Sequence, residues 1–315
     1  MSRIVAFLVL GFLIVSCKKD DDAAPLPEPP RPLAEVAVEE EAKIQEYLKT
    51  HFYNYEEFDS IPENFDFKIK IDTIAGDNSD KTPLVEDMTS ETITVSSTDL
   101  GLSDGGDVPL KYYYVVAREG QGGSPTVADS IFYKFEGRKL NDVLFDSSDS
   151  FNWTYLPRFL RGFGIGISKL NAGGNIVVNN DGTTSIENTG IGMIIFPSGL
   201  GYYNSPGAGS SITAYEPLLF KFELGLYAEN TDFDNDGVSS IMEDVNGDGN
   251  VNNDNTDGDF ISAGVQAYNH IDPDDDNDGT PTREEVKFDE GGNLILPLPD
   301  ADSDGVPDYL DPDTK

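Results

Sequence analysis

Three glycines, Gly162, Gly164 and Gly166, alternate through the segment FLRGFGIGISKLNAG (159–173) and constrain the middle of the chain more than any other feature. Phe163, Ile167 and Leu170 fall at i, i+4 and i+7, so the spacing predicts one short helix with a single apolar stripe, ended by the Gly173-Gly174 pair. Each glycine costs a helix up to about 1 kcal/mol relative to alanine, so local propensity does not hold it together. Packing has to. Segments rich in aromatic and β-branched residues lie on both sides, Ser130 to Phe135 before it, Met193 to Phe196 and Leu218 to Leu226 after it. These read as strands of a sheet curved around the helix. A helix clasped in this way leaves an apolar hollow beside it, and that hollow is the candidate site.

The charge balance narrows the partners. A net charge of -37 over 315 residues argues against nucleic acid or an anionic membrane surface and makes cations the natural counterpart. The length accommodates about two domains plus tails, at roughly 150 residues each. A single cysteine rules out a disulfide framework and a cysteine metal cage. The two histidines, His51 and His270, are far apart and in no HExxH setting, which disfavours a zinc hydrolase or a Ser-His-Asp triad.

Arg3 precedes an apolar run from Ile4 to Val15, interrupted by Gly11, that is too short to span a bilayer and has the length of a signal-peptide core. It ends Ile14-Val15-Ser16-Cys17, which resembles a bacterial lipoprotein box; the alternative is a free thiol in an uncleaved segment. Lys18-Lys19-Asp20-Asp21-Asp22 resembles the charged tag of Bacteroidota lipoproteins exported to the cell surface, the alternative being solvated linker. The resemblance implies a signal peptide over 1–17, a lipid on Cys17 and a place in the cell envelope, at the outer membrane or cell surface. Residues 18–37 read as a stiff, proline-rich spacer (Pro25, Pro27, Pro29, Pro30, Pro32). Ile44, Leu48, Phe52 and Tyr55 recur at helical spacing, Phe65, Phe67, Ile69 and Ile71 alternate as a strand, and Ile93 to Val95 forms a weaker strand. Residues 38–107 are therefore a helix-plus-strand extension, too small to stand alone and packed on the next domain.

From Lys111 the chain resembles a known family. KYYYVVAREGQGGSPTVADSIFYKFEGRKLNDVLFDSS is similar to the opening of an FKBP-type peptidyl-prolyl isomerase domain. The FLRGFGIGISKLNAGG segment resembles that family's central helix, and FPSGLGYYNSPGAGSSITAYEPLLFKFELGLY its C-terminal loop and strand. Three ordered blocks over residues 108–228 imply an α+β fold: a bent antiparallel sheet wrapped on one short helix. The family's pocket then falls on Phe145 and Asp146 (aromatic wall and carboxylate), on Phe159 and Leu160 before Arg-Gly, on Tyr202 as hydroxyl donor, and on Ile212 and Phe220 as apolar walls. Phe151 matches the aromatic of the loop after Phe-Asp-Ser-Ser. Phe163 stands where the family has a tryptophan floor, and Phe135 where a tyrosine buttresses the aspartate. Tyr203 replaces the glycine after Tyr202, and Thr213-Ala214 a proline pair. Asn180-Asp181-Gly182 predicts a hairpin that extends the sheet near the pocket mouth.

The resemblance implies a foldase acting on Xaa-Pro segments of envelope or surface client proteins, with no cofactor for catalysis. A non-catalytic FKBP-like lipoprotein for peptide binding or adhesion is the alternative, as is a purely structural calcium protein. The glycine run invites comparison with a nucleotide loop, but it lacks GxGxxG spacing after a strand.

Beyond Ala228 the composition shifts to roughly 25 acidic residues against three basic ones, too few large apolars to build a core. The acids are ordered. Asp232-x-Asp234-x-Asp236-Gly237 followed by Glu243 is the full EF-hand loop spacing. Asp274-x-Asp276-x-Asp278-Gly279 with Glu285, and Asp300-x-Asp302-x-Asp304-Gly305 with Asp311, repeat it; Asp244-x-Asn246-x-Asp248-Gly249 repeats its first half and ends on Asn255. Calcium takes six to eight oxygens, and alternate acids on a tight loop supply them. Pro281, Pro307 and Pro312 interrupt the flanking helices of a true EF-hand. Residues 229–315 instead resemble thrombospondin type 3 calcium repeats, which implies a loop-rich arm holding structural Ca2+; an acidic disordered tail is the alternative.

Overall fold

The computed structural model describes residues 29–262 and 265–314. The expected signal segment, the lipidation at Cys17 and the start of the proline spacer lie outside the described residues.

In chain order the elements are α1 (Leu33–Thr50), β1 (His51–Tyr53), α2 (Tyr55–Asp59), β2 (Ile71–Thr73), α3 (Leu84–Asp87) and β3 (Thr89–Ser96). Then come β4 (Asp107–Arg118), β5 (Ser130–Lys139), β6 (Leu144–Tyr155), α4 (Arg161–Ser168), β7 (Asn175–Val178), β8 (Thr184–Glu187), β9 (Gly190–Phe196) and β10 (Leu218–Ala228). The acidic region adds β11 (Phe260–Ser262), β12 (Val265–Gln266) and α5 (Thr282–Glu285). The architecture is mixed α and β with antiparallel sheets. Its main sheet has six strands in the order β3-β4-β9-β10-β5-β6, every neighbour antiparallel.

Strand alternation sorts the sheet into two covered faces. On one, Ile194, Phe196, Phe220, Phe222 and Leu224 meet Phe163, Ile165 and Ile167 of α4. On the other, Tyr113, Ile191, Met193, Ile195 and Leu219 meet Ile44, Tyr47 and Leu48 of α1 together with Tyr53, Ile69, Leu84 and Met88. The N-terminal extension is thus the second layer of the sheet, and β3 is its edge strand. Burying each large side chain is worth roughly 1.5–3 kcal/mol, which is what a glycine-rich α4 lacks on its own.

The helix glycines have a steric reason. A Cβ on Gly162 would lie 2.5 Å from the Phe196 ring, and one on Gly166 2.5 Å from Ile194 Cγ2, so these two face the sheet at a distance no larger residue permits. Gly164 meets nothing closer than a carbonyl at 3.9 Å.

Several expectations are corrected. The helix is shorter than 159–173: Phe159 and Leu160 precede it, and it ends before the Gly pair because Leu170 and Ala172 turn into the core. The spacer does not run to residue 37, since α1 already starts at Leu33, with its buried Val36 and Leu33 docked on the α4 side of the sheet. Phe52 and Tyr55 are not on that helix; the chain leaves it at His51 to form β1, whose partner is only Ile71–Thr73. Phe65 and Phe67 alternate without being strand: Phe67 takes a left-handed φ of 54° and lies under the Arg118 guanidinium at 4.1 Å. The Asn180-Asp181-Gly182 turn does close a hairpin, β7-β8, but as a separate two-stranded ribbon that does not lengthen the main sheet.

The acidic region also builds a small core. Val238, Val286, Tyr309 and Leu310 are buried together, with Phe288, Met242, Leu294 and Leu298 against them. Pro281 and Pro307 start one-turn helices, α5 and 308–310, instead of abolishing helix. Everything from Arg31 onward is one compact unit. Tyr155 stacks on Phe233 at 4.2 Å, its hydroxyl meets His270 Nδ1 at 2.9 Å, and Asn252 Nδ2 donates to the Pro157 carbonyl at 2.8 Å.

Candidate functional site

The aromatic group beside α4 is assembled by three neighbouring elements. β5 contributes Tyr133 and Phe135 to one face, β10 contributes Phe220, and the start of β6 contributes Phe145. Phe145 stands edge-on to Phe220 at 5.4 Å, and Phe163 is edge-on to Phe220 at 5.2 Å and to Phe135 at 5.7 Å. Phe159 stacks on Phe163 at 4.7 Å. Ile212, from the loop between β9 and β10, is buried in the same cluster, and Leu160 packs against it. Edge-to-face contacts of this kind add to simple burial because each ring's positive rim meets its neighbour's negative face.

Polar groups rim this cluster. Asp146 follows Phe145 and is exposed, its Oδ1 accepting the Ser147 N–H at 2.9 Å. Tyr202 is 38% exposed; burial and then the nearby Asp146 carboxylate push its hydroxyl above the usual phenol range. Leu160 is the residue before the first turn of α4, where an N–H has no intrahelical acceptor. The structure therefore gathers Phe135, Phe145, Phe159, Leu160, Phe163, Ile212 and Phe220, with Asp146 and Tyr202 at the border.

Phe151 does not join them. It stacks on Phe132 at 5.2 Å with Lys134 Nζ 4.2 Å over its ring, and both partners alternate with Tyr133 and Phe135 along β5, which puts Phe151 on the opposite face of the sheet. One participant was missed. Tyr133 stacks on Phe135 at 5.6 Å, is 4% exposed, and has its hydroxyl pushed up to about 12 by burial and by Asp146. A tyrosine two residues before Phe135 shares its face of the strand, so the period of two was the available signal.

Tyr203, in the glycine's place after Tyr202, has a left-handed φ of 48°. Its buried ring stands edge-on to Tyr215 at 5.1 Å, and its hydroxyl donates to the Arg31 carbonyl, which offsets the strain. Four hollows among the described residues lie elsewhere, none of them lined by Phe145, Tyr202, Ile212 or Phe220. One of about 320 Å³ is on the far face, between residues 67–71 and β5 and β10, lined by Lys68, Lys70, Lys134, Glu136 and Lys221. A small one of about 40 Å³ sits at the start of α4, with Phe159 and Leu160 on one wall and Asn250, Val251 and Asn252 of the acidic region on the other.

The acidic loops form a second candidate site. Their backbones repeat. The sixth-position glycines Gly237, Gly249, Gly279 and Gly305 have φ of 103°, 76°, 91° and 100°, a region closed to other residues at little cost. The fourth positions, Asn235, Gly247, Asn277 and Ser303, are left-handed as well. In three loops the first aspartate accepts the sixth N–H: Asp232 from Gly237 at 3.0 Å, Asp244 from Gly249 at 2.8 Å, Asp300 from Gly305 at 3.1 Å.

Carboxyl oxygens of Asp232, Asp234 and Asp236 lie within 4.8 Å of one another, as do those of Asp274, Asp276 and Asp278, and of Asp300, Asp302 and Asp304. Buried oxygens of Asp234, Asp248, Asp274, Asp276, Glu285, Asp300 and Asp311 have no hydrogen-bond partner. Burial and the neighbouring carboxylates push Asp234 up to about 8 and Glu285 up to about 8. Converging bare oxygens, mutually repelling and removed from water, are the donor set of a hard divalent cation, so the residues present fit one. The second loop is closed by Asp254, not Asn255. Asp254 is 6% exposed, accepts the Asn246 N–H at 3.2 Å and keeps Oδ2 bare, whereas Asn255 turns to Gly258 and Asp259. A further cluster, Asp257, Asp259 and Asp272, escapes the spacing rule altogether.

No family model matches the chain, and no curated protein does. Among solved structures, a peptidyl-prolyl cis-trans isomerase from Pseudomonas syringae pv. tomato is similar at 21% identity and a TM-score of 0.31, over 41% of this chain and 79% of that one. FkpA from Escherichia coli is similar at 18% identity and a TM-score of 0.32, over 62% of each chain. Wheat FKBP73 is similar at 13% identity and a TM-score of 0.30, over 38% of this chain and 46% of that one.

Proposed function

We propose that this chain is an FKBP-type peptidyl-prolyl cis-trans isomerase, a foldase held at the cell envelope, in the outer membrane or at the surface, by a lipid on Cys17 and carrying a calcium-stiffened C-terminal arm. One observation carries the reading: Phe145, Phe220 and Phe163 meet ring to ring, with Tyr202 at their border near enough to the Asp146 carboxylate for its hydroxyl to be raised by that charge after burial.

Rotation about an Xaa-Pro bond is slow because amide resonance sets a barrier of roughly 18–20 kcal/mol. No bond is made or broken, so neither acid, base nor metal is required. An apolar wall of Phe145, Phe220 and Ile212 excludes water from the twisting amide, whose charge separation falls as resonance is lost. The Leu160 N–H and the Tyr202 hydroxyl donate to substrate carbonyls and fix the peptide, while Asp146 faces the carbonyl that turns. Tyr133 replaces the hydroxyl that Phe135 lacks, keeping a phenol near Asp146. In the arm, the four loops hold calcium through Asp232, Asp234, Asp236 and Glu243, through Asp244, Asn246, Asp248 and Asp254, through Asp274, Asp276, Asp278 and Glu285, and through Asp300, Asp302, Asp304 and Asp311. Bound calcium supplies charge neutralisation there and no chemistry.

A second reading, a non-catalytic binder of extended proline-containing segments, is favoured by Phe163, which is 0% exposed beneath Phe159 and so offers a closed floor. Catalysed isomerisation of a Xaa-Pro peptide separates the two. Wild type is expected to turn over, with kcat/KM falling about five- to tenfold in Tyr202→Phe, the worth of one hydrogen bond, and falling also in Asp146→Ala. A background rate in wild type with peptide still bound leaves the binding reading; neither turnover nor binding removes both.

A further inference from the structure

Asp275 occupies the second position of the third acidic loop, which the calcium-loop spacing leaves unassigned. Its carboxyl oxygen does not gather with those of its own loop. It lies within 4.8 Å of an oxygen on Asp236 and one on Glu243, both belonging to the first loop. All three side chains are out of water: Glu243 is 0% exposed, Asp236 and Asp275 2% each. Both Oε atoms of Glu243, Oδ2 of Asp236 and Oδ1 of Asp275 have no hydrogen-bond donor.

The remaining oxygens explain the aim of the bare ones. Asp236 Oδ1 accepts the Val238 N–H at 2.7 Å. Asp275 Oδ2 accepts the Thr282 hydroxyl at 2.9 Å, and the Asp275 N–H meets the same Thr282 oxygen at 3.2 Å. Asp275 is therefore clamped on one side and bare on the other. Arg283, the nearby cation, donates to the Asn235 carbonyl at 3.5 Å, and its guanidinium lies over the Phe288 ring at 5.1 Å. Carboxylates brought together this far from water are strongly unfavourable unless they take up protons or a positive charge sits among them. The donors are all oxygen, which selects calcium over softer metals.

We propose that Asp236, Glu243 and Asp275 bind one calcium ion that crosslinks the first acidic loop to the third. The inference rests on the calcium reading of the arm and deepens it. The loops are then not independent one-ion units, and Glu243 answers to a residue of another loop.

The test is calcium titration of the chelator-stripped full chain by calorimetry, with wild type, Asp275→Asn, Glu243→Gln and the double variant. Asp275→Asn is expected to weaken one binding step about tenfold or more through loss of one ligand charge. Glu243→Gln weakens the same step, and the double variant is no worse than Glu243→Gln alone. A second measurement guards against misfolding. In EDTA, Asp275→Asn should melt no lower than wild type, since it removes a buried negative charge, while its calcium-induced gain in melting temperature shrinks. Titration of Asp275→Asn indistinguishable from wild type overturns the inference and leaves the calcium reading standing. So does a stability loss equal in EDTA and in calcium, which marks Asp275 as only a partner of Thr282. A wild type that takes up no calcium overturns both.

Discussion

Around α4 the buried side chains are phenylalanines, leucines and isoleucines that satisfy one another ring to ring and methyl to ring. In the arm the buried side chains include Glu243, Asp236 and Asp275, whose bare oxygens converge with no donor between them. The first region needs only exclusion of water, and its stability follows area. The second has the apolar cluster of Val238, Val286, Tyr309 and Leu310 to hold it, and carboxylates that oppose it. Burial is therefore not one kind of stabilisation in this protein: on one side it is the driving force, on the other it is a cost that awaits a counter-ion.

The largest effect that tests this contrast is removal of divalent cations. In EDTA the arm from about residue 232 to 313 should lose structure while the six-stranded sheet stays folded. Trypsin reports it directly, because Arg283 and Lys287 are the basic residues inside the arm. Cleavage there should be slow in calcium and fast in EDTA, with the sheet domain remaining as a resistant fragment. Equal cleavage in both conditions breaks the comparison.

A smaller effect sharpens the apolar side. Gly166→Ala forces a Cβ into Ile194 and Phe222 and should destabilise by about 1–3 kcal/mol despite alanine's better helix propensity. Gly164→Ala meets only a carbonyl at 3.9 Å and should gain up to about 1 kcal/mol. Thermal melts of the two, with calcium saturating, should move in opposite directions; movement in the same direction removes the close-approach account of the helix.

The smallest effect concerns a buried acid on the sheet side. Glu40 of α1 is 1% exposed, accepts the Ser198 N–H at 2.9 Å through Oε2, and leaves Oε1 bare. Burial raises its pKa above 4.5, more than the bonds from Ser198 lower it. The unfolded chain then ionises first, so stability falls as pH rises from 4.5 through the raised value. Glu40→Gln keeps an acceptor for Ser198 and abolishes that fall. Its stability relative to wild type, from urea melts, should grow between pH 4 and pH 7; a constant difference refutes the assignment.

Legibility in the sequence divides along the same line. The strands around α4 announce themselves because alternation and β-branching are local, and the glycine run betrays a close approach. That Phe145 and Phe220 come together could be read from their order along the chain. Phe151 could not, since one step of register along β6 moves a side chain to the opposite face. Phe65 and Phe67 alternate like a strand, yet Phe67 takes a left-handed φ and lies under Arg118 instead. In the arm, loop spacing exposes the carboxylates that gather within a loop and hides those that gather between loops. Asp254 and Asp275 fall at positions the pattern ignores: Asp254 closes its own loop one residue early, and only the packing of one loop on another brings in Asp275.

Arg161 opens α4, and its 11% exposed side chain reaches out of the helix to the Asp248 carbonyl at 2.7 Å and to the carboxylates of Asp248 and Asp99 at 3.4 and 3.9 Å. The first turn of the helix that floors the aromatic cluster is thereby moored to the second acidic loop. Shortening the chain after Ala228 would not simply trim an appendage: it would strand a guanidinium in a half-dry seam and bare the Tyr155 ring. A change in the charge of the second acidic loop would therefore reach the first turn of α4 through Arg161.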